Sequence, residues 1–197
     1  GASGKNLTEW QFGMASLNPR WNVSGTYMQV LPSFISTDQD GNDEKEFLLD
    51  YFNELPDLLS MVFLKGYQWP FDVNKIFGGS SVIDLLVYQE TVLKKRRVFL
   101  DYRVNPGNLE KDRDLPYASM IPEAKEYLSQ AGACFGTPIE RLKHMNEPAI
   151  LFYQDHHVDL FKERLEIAVC AQHNNGGLST NHLWETNLSG LYAIGEV

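Results

Sequence analysis

Residues 164–177 read RLEIAVCAQHNNGG, a strand-like run that passes into a glycine turn. The first part, Arg164–Ala171, is typical of a β-strand, and Asn and Gly dominate from Asn174 to Gly177. Two further stretches predict strands, Arg97–Arg103 and Thr26–Thr37. In the second of these, Pro32 indicates an edge position or a bulge.

Helical patterns lie between these strands. Apolar residues recur at helical spacing from Glu44 to Lys65, and Pro56 divides that stretch into two helices. A further helix is predicted within Asn74–Lys95, with the small residues Gly78-Gly79-Ser80-Ser81 near its start. Two more are predicted over Pro122–Ala131, closed by Gly132, and from the N-cap Thr137 with Pro138 first in the helix. The elements do not alternate regularly, so the predicted fold class is α+β with mixed helices and short strands.

The composition and net charge of the chain limit the classes of function that we expect. The chain has 197 residues, 43% of them hydrophobic, which is enough to bury a core. A formal net charge of −9 argues against nucleic acid as a partner. The apolar runs are too short to span a membrane. Cys134 and Cys170 have no paired spacing, which predicts no metal site and favours a reducing, cytoplasmic location.

Two local clusters of charged residues are not predicted to bind a ligand. The acidic turn Asp38–Asp43 resembles a calcium loop, but its glycine and its twelfth residue do not fit one. The basic run Lys94–Arg97 is interpreted as a solvated helix end whose cations favour the helix dipole. Trp21 and Trp184 are interpreted as packing residues.

The last residues predict that the chain continues. Leu191–Ile194 reads as a short buried strand that should lead into another element. We therefore expect the sequence to be a piece cut from a longer polypeptide. Such a piece should expose a broad apolar surface where the missing part docks, and two such surfaces could pair into a dimer.

Two segments near the C-terminus resemble one flavoprotein family. The segment Cys170–Thr180 contains a histidine, two asparagines and a Gly-Gly pair, and Gly190–Glu196 reads GLYAIGE. In this order and at this separation they resemble fumarate reductase, succinate dehydrogenase and L-aspartate oxidase. Glu9–Gly13 is a fainter match to the start of the family's capping domain.

The resemblance implies that the chain consists of two parts with different roles. Residues 1–170 would form the capping, or substrate, domain, and residues 171–197 would form the substrate loop and the return segment to an FAD-binding domain that lies elsewhere in the polypeptide. The parent would then be an FAD-dependent oxidoreductase acting on a small organic acid or a related carbonyl compound. The isolated piece should be inactive.

The resemblance also implies site residues. His173 matches the family's substrate-binding histidine, Gly176 and Gly177 let the backbone approach the ligand, and Thr180 matches a hydroxyl position near the same pocket. Glu196, with Gly195 before it, matches the acidic residue that contacts the sugar-alcohol chain of FAD. His182 is a candidate second pocket residue.

The sequence also departs from the family. The segment Phe77–Asp84 lacks the arginine that family members place near the start of a cap helix, so no catalytic residue is assigned and the substrate class stays open. Arg20, Arg103 and Arg113 could reach a pocket from elsewhere. No dinucleotide fingerprint is present. The alternative is a non-catalytic binding or interaction module in which His173 is only a turn residue.

Overall fold

A computed structural model describes residues 7–14, 27–68, 71–109, 115–175 and 178–194. Its four strands are β1 (Leu7–Met14), β2 (Ser33–Thr37), β3 (Arg97–Asp101) and β4 (Leu165–Asn175). Its α-helices are α1 (Leu55–Tyr67), α2 (Val82–Tyr88), α3 (Pro122–Gln130) and α4 (Pro138–Asp155). The strands form one antiparallel sheet in the order β1-β4-β3-β2. The prediction of an α+β fold is confirmed.

The core lies between this sheet and the helices. Leu100 and Leu165 on the two central strands are fully buried, as are Leu59 and Phe63 on α1. All five residues of β2 are buried as well. Although β2 is the last strand of the sheet, Ser36 exchanges two backbone hydrogen bonds with Lys45, and these cover part of its outer edge.

The strand predicted over Thr26–Thr37 is only partly confirmed. Ser33–Thr37 is β2, but Met28–Val30 is a 3₁₀ turn, flanked by Tyr27 at φ 43° and Leu31 at φ 58°. Met28, Val30 and Leu31 bury their side chains in the core. Tertiary packing has therefore overridden the β-propensity of this segment.

The helix predicted within Asn74–Lys95 begins late. Its α-helical part starts at Val82, after the Gly-Gly-Ser-Ser segment, and continues into a π turn at Gln89–Leu93. Gly78 has φ 73°, and a Cβ on Gly79 would lie 2.6 Å from the Lys75 carbonyl oxygen. This close turn separates a 3₁₀ turn at Val73–Lys75 from the start of α2.

The other predicted elements match more closely. Pro56 stands in the first turn of α1, but the helix predicted before it is only a 3₁₀ turn at Phe47–Asp50. Gly132 closes α3 at φ 63°. The chain from Pro148 is helical to Asp155, because α4 resumes after a break at Asn146. Strand β4 extends past its predicted end to Asn175 and crosses the proposed division at residue 170. The division itself stays a prediction.

The basic run Lys94–Arg97 has a structural role, as predicted, but through ion pairs within the fold and not as a solvated helix end. Lys94 pairs with the buried Glu90 at 2.5 Å, Arg96 with Asp43 at 2.6 Å, and Arg97 with Glu166 at 2.8 Å. Three of its four cations are therefore neutralised within the fold, which leaves no basic patch here for phosphate. The acidic turn is also confirmed, since the Asp38 carboxylate accepts the backbone N–H groups of residues 40 and 42.

Replacing Thr137 with alanine should destabilise the protein by about 1 kcal/mol. The backbone N–H and the hydroxyl of Thr137 both donate to the Glu140 carboxylate, at 2.9 and 3.1 Å, and this closes the first turn of α4. Thermal unfolding should show a fall of about 3 °C. Ser129→Ala, at an exposed position of α3, is the control, and an equal fall in both variants would contradict the capping role.

Candidate functional site

The backbone of His173 lies in β4, opposite Glu9 of β1. The predicted glycine-permitted turn for this histidine is therefore wrong. It was placed in a turn because Asn and Gly follow it directly, but pairing with β1 carries the strand on to Asn175. The role of His173 in binding a substrate stays a prediction.

The pairing of β1 with β4 is irregular next to this histidine. Glu9 pairs with His173 and Trp10 pairs with Ala171, so Gln172 is an extra residue with no partner in β1. This is the arrangement of a β-bulge, which adds twist and re-aims the neighbouring side chain. Bulges are over-represented beside active sites, so the backbone at His173 has the irregular geometry that a binding residue often needs.

Thr180 lies in a polar depression of about 400 Å³. The residues that line it with Thr180 are Ser179, Asn181, Glu185, Thr186 and Asn187. Gly176 and Gly177, which the sequence assigns to the substrate loop, lie outside the described residues. Of the four predicted substrate-binding residues, the structure therefore gives Thr180 a place in a concavity and His173 a place on a strand.

A small hairpin builds the depression. The Asn181 side-chain oxygen accepts the backbone N–H groups of Leu183 and Glu185, at 2.9 and 3.2 Å. The backbone of Glu185 then bridges to Tyr192 on the returning side, and its carboxylate accepts the N–H of Gly190 at 2.7 Å. Gly190 has φ 79°, a conformation that favours glycine. Asn181, a typical turn residue, is the feature of the sequence that indicates this hairpin.

Neutral groups and one acid surround the depression. Its hydroxyl and amide groups can donate and accept hydrogen bonds, and Glu185 is the only charged residue among the six that line it. His182 neighbours Asn181 but is exposed and does not line the depression. The lining suits a hydroxylated or carbonyl ligand better than a multiply charged anion.

The Arg103 side chain is held by hydrogen bonds within the fold. Its guanidinium donates to both oxygens of the buried Asp101, at 2.9 and 2.6 Å, and to the Lys162 carbonyl oxygen at 2.9 Å. Burial raises the pKa of Asp101, but hydrogen bonds from Arg103 and Arg164 outweigh it and hold that pKa below its usual value. Arg103 is therefore a poor candidate for the missing catalytic arginine. The other two candidates, Arg20 and Arg113, lie outside the described residues.

The segment that contains Thr180 exposes apolar side chains. Leu191–Ile194 was predicted to be a buried strand, but it is exposed, as is Trp184, which was interpreted as a packing residue. The large apolar side chains exposed between residues 178 and 194 are Leu178, Leu183, Trp184, Leu188, Leu191, Tyr192 and Ile194. No residue of this segment belongs to the core. Large apolar side chains exposed close together in sequence are a feature of interaction surfaces.

The residues that line the polar depression do not fit the pyrophosphate of a flavin dinucleotide. A pyrophosphate needs cations or a glycine-rich helix start, and the polar depression offers a carboxylate in their place. Gly195 and Glu196, to which the resemblance assigns flavin contacts, lie outside the described residues. Within the described ranges, no group of three or more His, Cys, Asp or Glu side chains could hold a metal ion.

Each helix in the described part of the chain is too short or too polar to cross a lipid bilayer. Comparison of this chain with models of protein families, with curated proteins and with solved structures found no match.

Proposed function

We propose that this chain is the substrate-capping region of an FAD-dependent oxidoreductase that resembles the fumarate reductase family. The observation that carries the proposal is the pair of motifs at Cys170–Thr180 and Gly190–Glu196, which overlap the two ends of the exposed apolar segment at residues 178–194. In this proposal the segment packs against an FAD-binding domain of the same polypeptide, which acts in the cytoplasm.

The part assigned to this chain is to bind and orient the substrate. Reduction or oxidation beside a carboxylate or carbonyl develops negative charge on oxygen, which fixed hydrogen-bond donors stabilise. His173, which lies next to the bulge at Gln172 in the backbone of β4, and the hydroxyl of Thr180 would supply such donors. The electron transfer itself belongs to the flavin, which this chain does not hold alone.

The substrate proposed is a small organic acid or a related carbonyl compound. Among the described residues that line the polar depression there are hydroxyl and amide groups, one carboxylate and no cation, which favours a carbonyl compound with at most one carboxylate over a dicarboxylate. This preference fits the absence of arginine from Phe77–Asp84.

Replacing His173 with alanine should lower kcat/KM by about 100-fold in the polypeptide that joins this chain to its flavin-binding half. Steady-state assays with 2-oxo acids, enoates and simple ketones as substrates would measure the loss. His157→Asn is the matched control, because His157 is exposed and asparagine tolerates its φ of 63°. Unchanged turnover in the His173 variant would remove this residue from the pocket.

The second candidate function is a non-catalytic interaction module. The exposed apolar segment favours it, because a docking surface needs no flavin. The absorbance spectrum of the joined polypeptide separates the two: bound flavin supports the oxidoreductase, whereas a colourless protein that takes up no added FAD supports the module.

A further inference from the structure

A cavity and an exposed phenylalanine lie side by side on one face of the protein. The cavity has a volume of about 200 Å³ and lies between the Phe47–Phe52 turn, α1 and the loop before α2. Its lining residues are Tyr51, Phe52, Asp57, Met61, Gly78, Gly79 and Val82. Phe77 directly precedes this lining and is 94% exposed.

Phe77 is held beside the cavity and does not fill it. Gly78 takes φ 73°, and the Ser81 N–H donates to the Lys75 carbonyl oxygen at 3.2 Å, so residues 75–81 form a closed turn. The cavity would accept a phenyl ring, since an apolar cavity of ~150 Å³ is large enough for benzene. Because the ring and the cavity share one face, a two-fold axis between two copies would match each ring with the cavity of the other.

The charges at this face are also complementary. Asp57 lies at the cavity, and Lys75 begins the turn that carries Phe77. The Lys75 ammonium donates one hydrogen bond, to the Gln68 carbonyl oxygen at 2.8 Å, and has two further protons to donate. When Phe77 of one copy enters the cavity of the other, Lys75 comes toward Asp57 across the interface, and the reverse pair forms by symmetry.

We propose that this protein forms a two-fold dimer in which Phe77 of each copy occupies the cavity between Tyr51, Met61 and Gly79 of the other. The apolar contact is small: two phenylalanine rings bury about 150–250 Å² each, and the exposed Tyr51 and Val73 add to this. Such an interface falls in the weak class, below about 1,200 Å² in total. The dimer should therefore dissociate with a Kd on the order of 10 μM.

Sedimentation of the wild-type chain from about 1 to about 300 μM should show a mass that rises from one chain to two and stops there. Phe77→Ser should raise the Kd by about 100-fold, because both copies lose their buried ring. Ile194→Ser is the matched control: Ile194 is 90% exposed but lies in the other apolar segment, and its replacement should leave the Kd unchanged. Unchanged circular dichroism would show that both variants fold.

A charge exchange tests the arrangement of the two copies. Asp57→Lys and Lys75→Glu should each weaken the dimer, and the double variant should restore it to within about 3-fold of wild type. The proposal is overturned if the wild type stays at the mass of one chain, if mass grows beyond two, or if Ile194→Ser has the larger effect. The proposal is also overturned if the double variant dimerises as weakly as the single variants. It is overturned as well if Phe77→Ser does not change the mass of the polypeptide that joins this chain to its flavin-binding half. None of these outcomes depends on flavin content, which tests the proposed function separately.

Discussion

Replacing Arg141 with methionine should destabilise the protein by about 4 kcal/mol, the largest effect we expect of any single substitution. Arg141 lies in α4 with 0% of its surface exposed. Its guanidinium donates to the carbonyl oxygens of Val30, Phe135 and Gly136, at 3.0, 3.0 and 2.6 Å, and to the Asn105 side-chain oxygen at 2.9 Å. Methionine fills a similar volume but removes a donor from each of these four acceptors, of which the Gly136 carbonyl oxygen keeps the hydrogen bond from the Asn105 side-chain amide at 3.1 Å.

The charge of Arg141 is solvated by backbone and amide oxygens. Burial lowers the pKa of Arg141 to about 10, so the guanidinium stays protonated at neutral pH. Lysine would keep the charge, but its single nitrogen cannot reach acceptors that are arranged around a planar fork. Arg141→Lys should therefore recover less than half of the loss.

Thermal and urea unfolding would measure both variants. A loss of about 4 kcal/mol should lower the Tm by roughly 10 °C, since a domain of this size loses 2–4 °C per kcal/mol. Lys143→Met, at an exposed position of the same helix, is the control and should change stability by less than about 0.5 kcal/mol. An Arg141→Met protein that unfolds within about 2 °C of wild type would show that the contacts are dispensable.

Arg141 also shows why part of the fold could not be predicted. The start of α4 was readable because Thr137 and Pro138 act on adjacent residues. The bend at Tyr27–Leu31 was not, because the Val30 carbonyl oxygen is held by Arg141, a residue 111 positions away. Local propensity predicts an element, but contacts at such separation decide whether the chain turns within it.

The candidate site likewise has one part that the local sequence predicts and one part that depends on distant contacts. Thr180 and its neighbours form a short-range hairpin, which turn residues such as Asn181 encode locally. The strand position of His173 depends on the register with β1, at the other end of the sequence. A bulge at Gln172 cannot be read from residues 164–177 alone, because it exists only relative to the partner strand.

Replacing Lys65 with methionine should destabilise the protein by about 3 kcal/mol. The Lys65 ammonium lies 2.7 Å from Oδ1 of Asp84, and both side chains are buried between α1 and α2. Within the described part of the chain, Oδ2 of Asp84 has no hydrogen-bond partner. Without Lys65, a buried carboxylate would be left with no counter-charge, or would have to take up a proton.

Chemical unfolding at neutral pH would measure the loss. Lys162→Met is the matched control, because Lys162 pairs with Asp159 at the same distance of 2.7 Å but is exposed; its replacement should leave the stability nearly unchanged. The double variant Lys65→Met/Asp84→Leu should recover most of the stability, since apolar side chains of similar size commonly replace a buried ion pair at little cost. A double variant as unstable as Lys65→Met would mean that packing, and not charge, accounts for the loss.

The same pair should give the protein a distinctive dependence on pH. Burial raises the pKa of Asp84 from 3.8 to about 6 despite the neighbouring Lys65. Between these two values the folded state binds more protons than the unfolded state, so the Asp84 contribution to the free energy of unfolding falls as pH rises. The contribution is most favourable below about pH 4, and roughly 3 kcal/mol of it is lost by pH 7.

Other carboxylates, such as Asp101, have lowered pKa values and act in the opposite direction. The measurement is therefore the difference in unfolding free energy between wild type and Asp84→Asn, which should shift by about 3 kcal/mol against the wild type from pH 4 to pH 7. A difference that stays constant, or that shifts in favour of the wild type, would mean that Asp84 is charged throughout and that Lys65 fully compensates its burial.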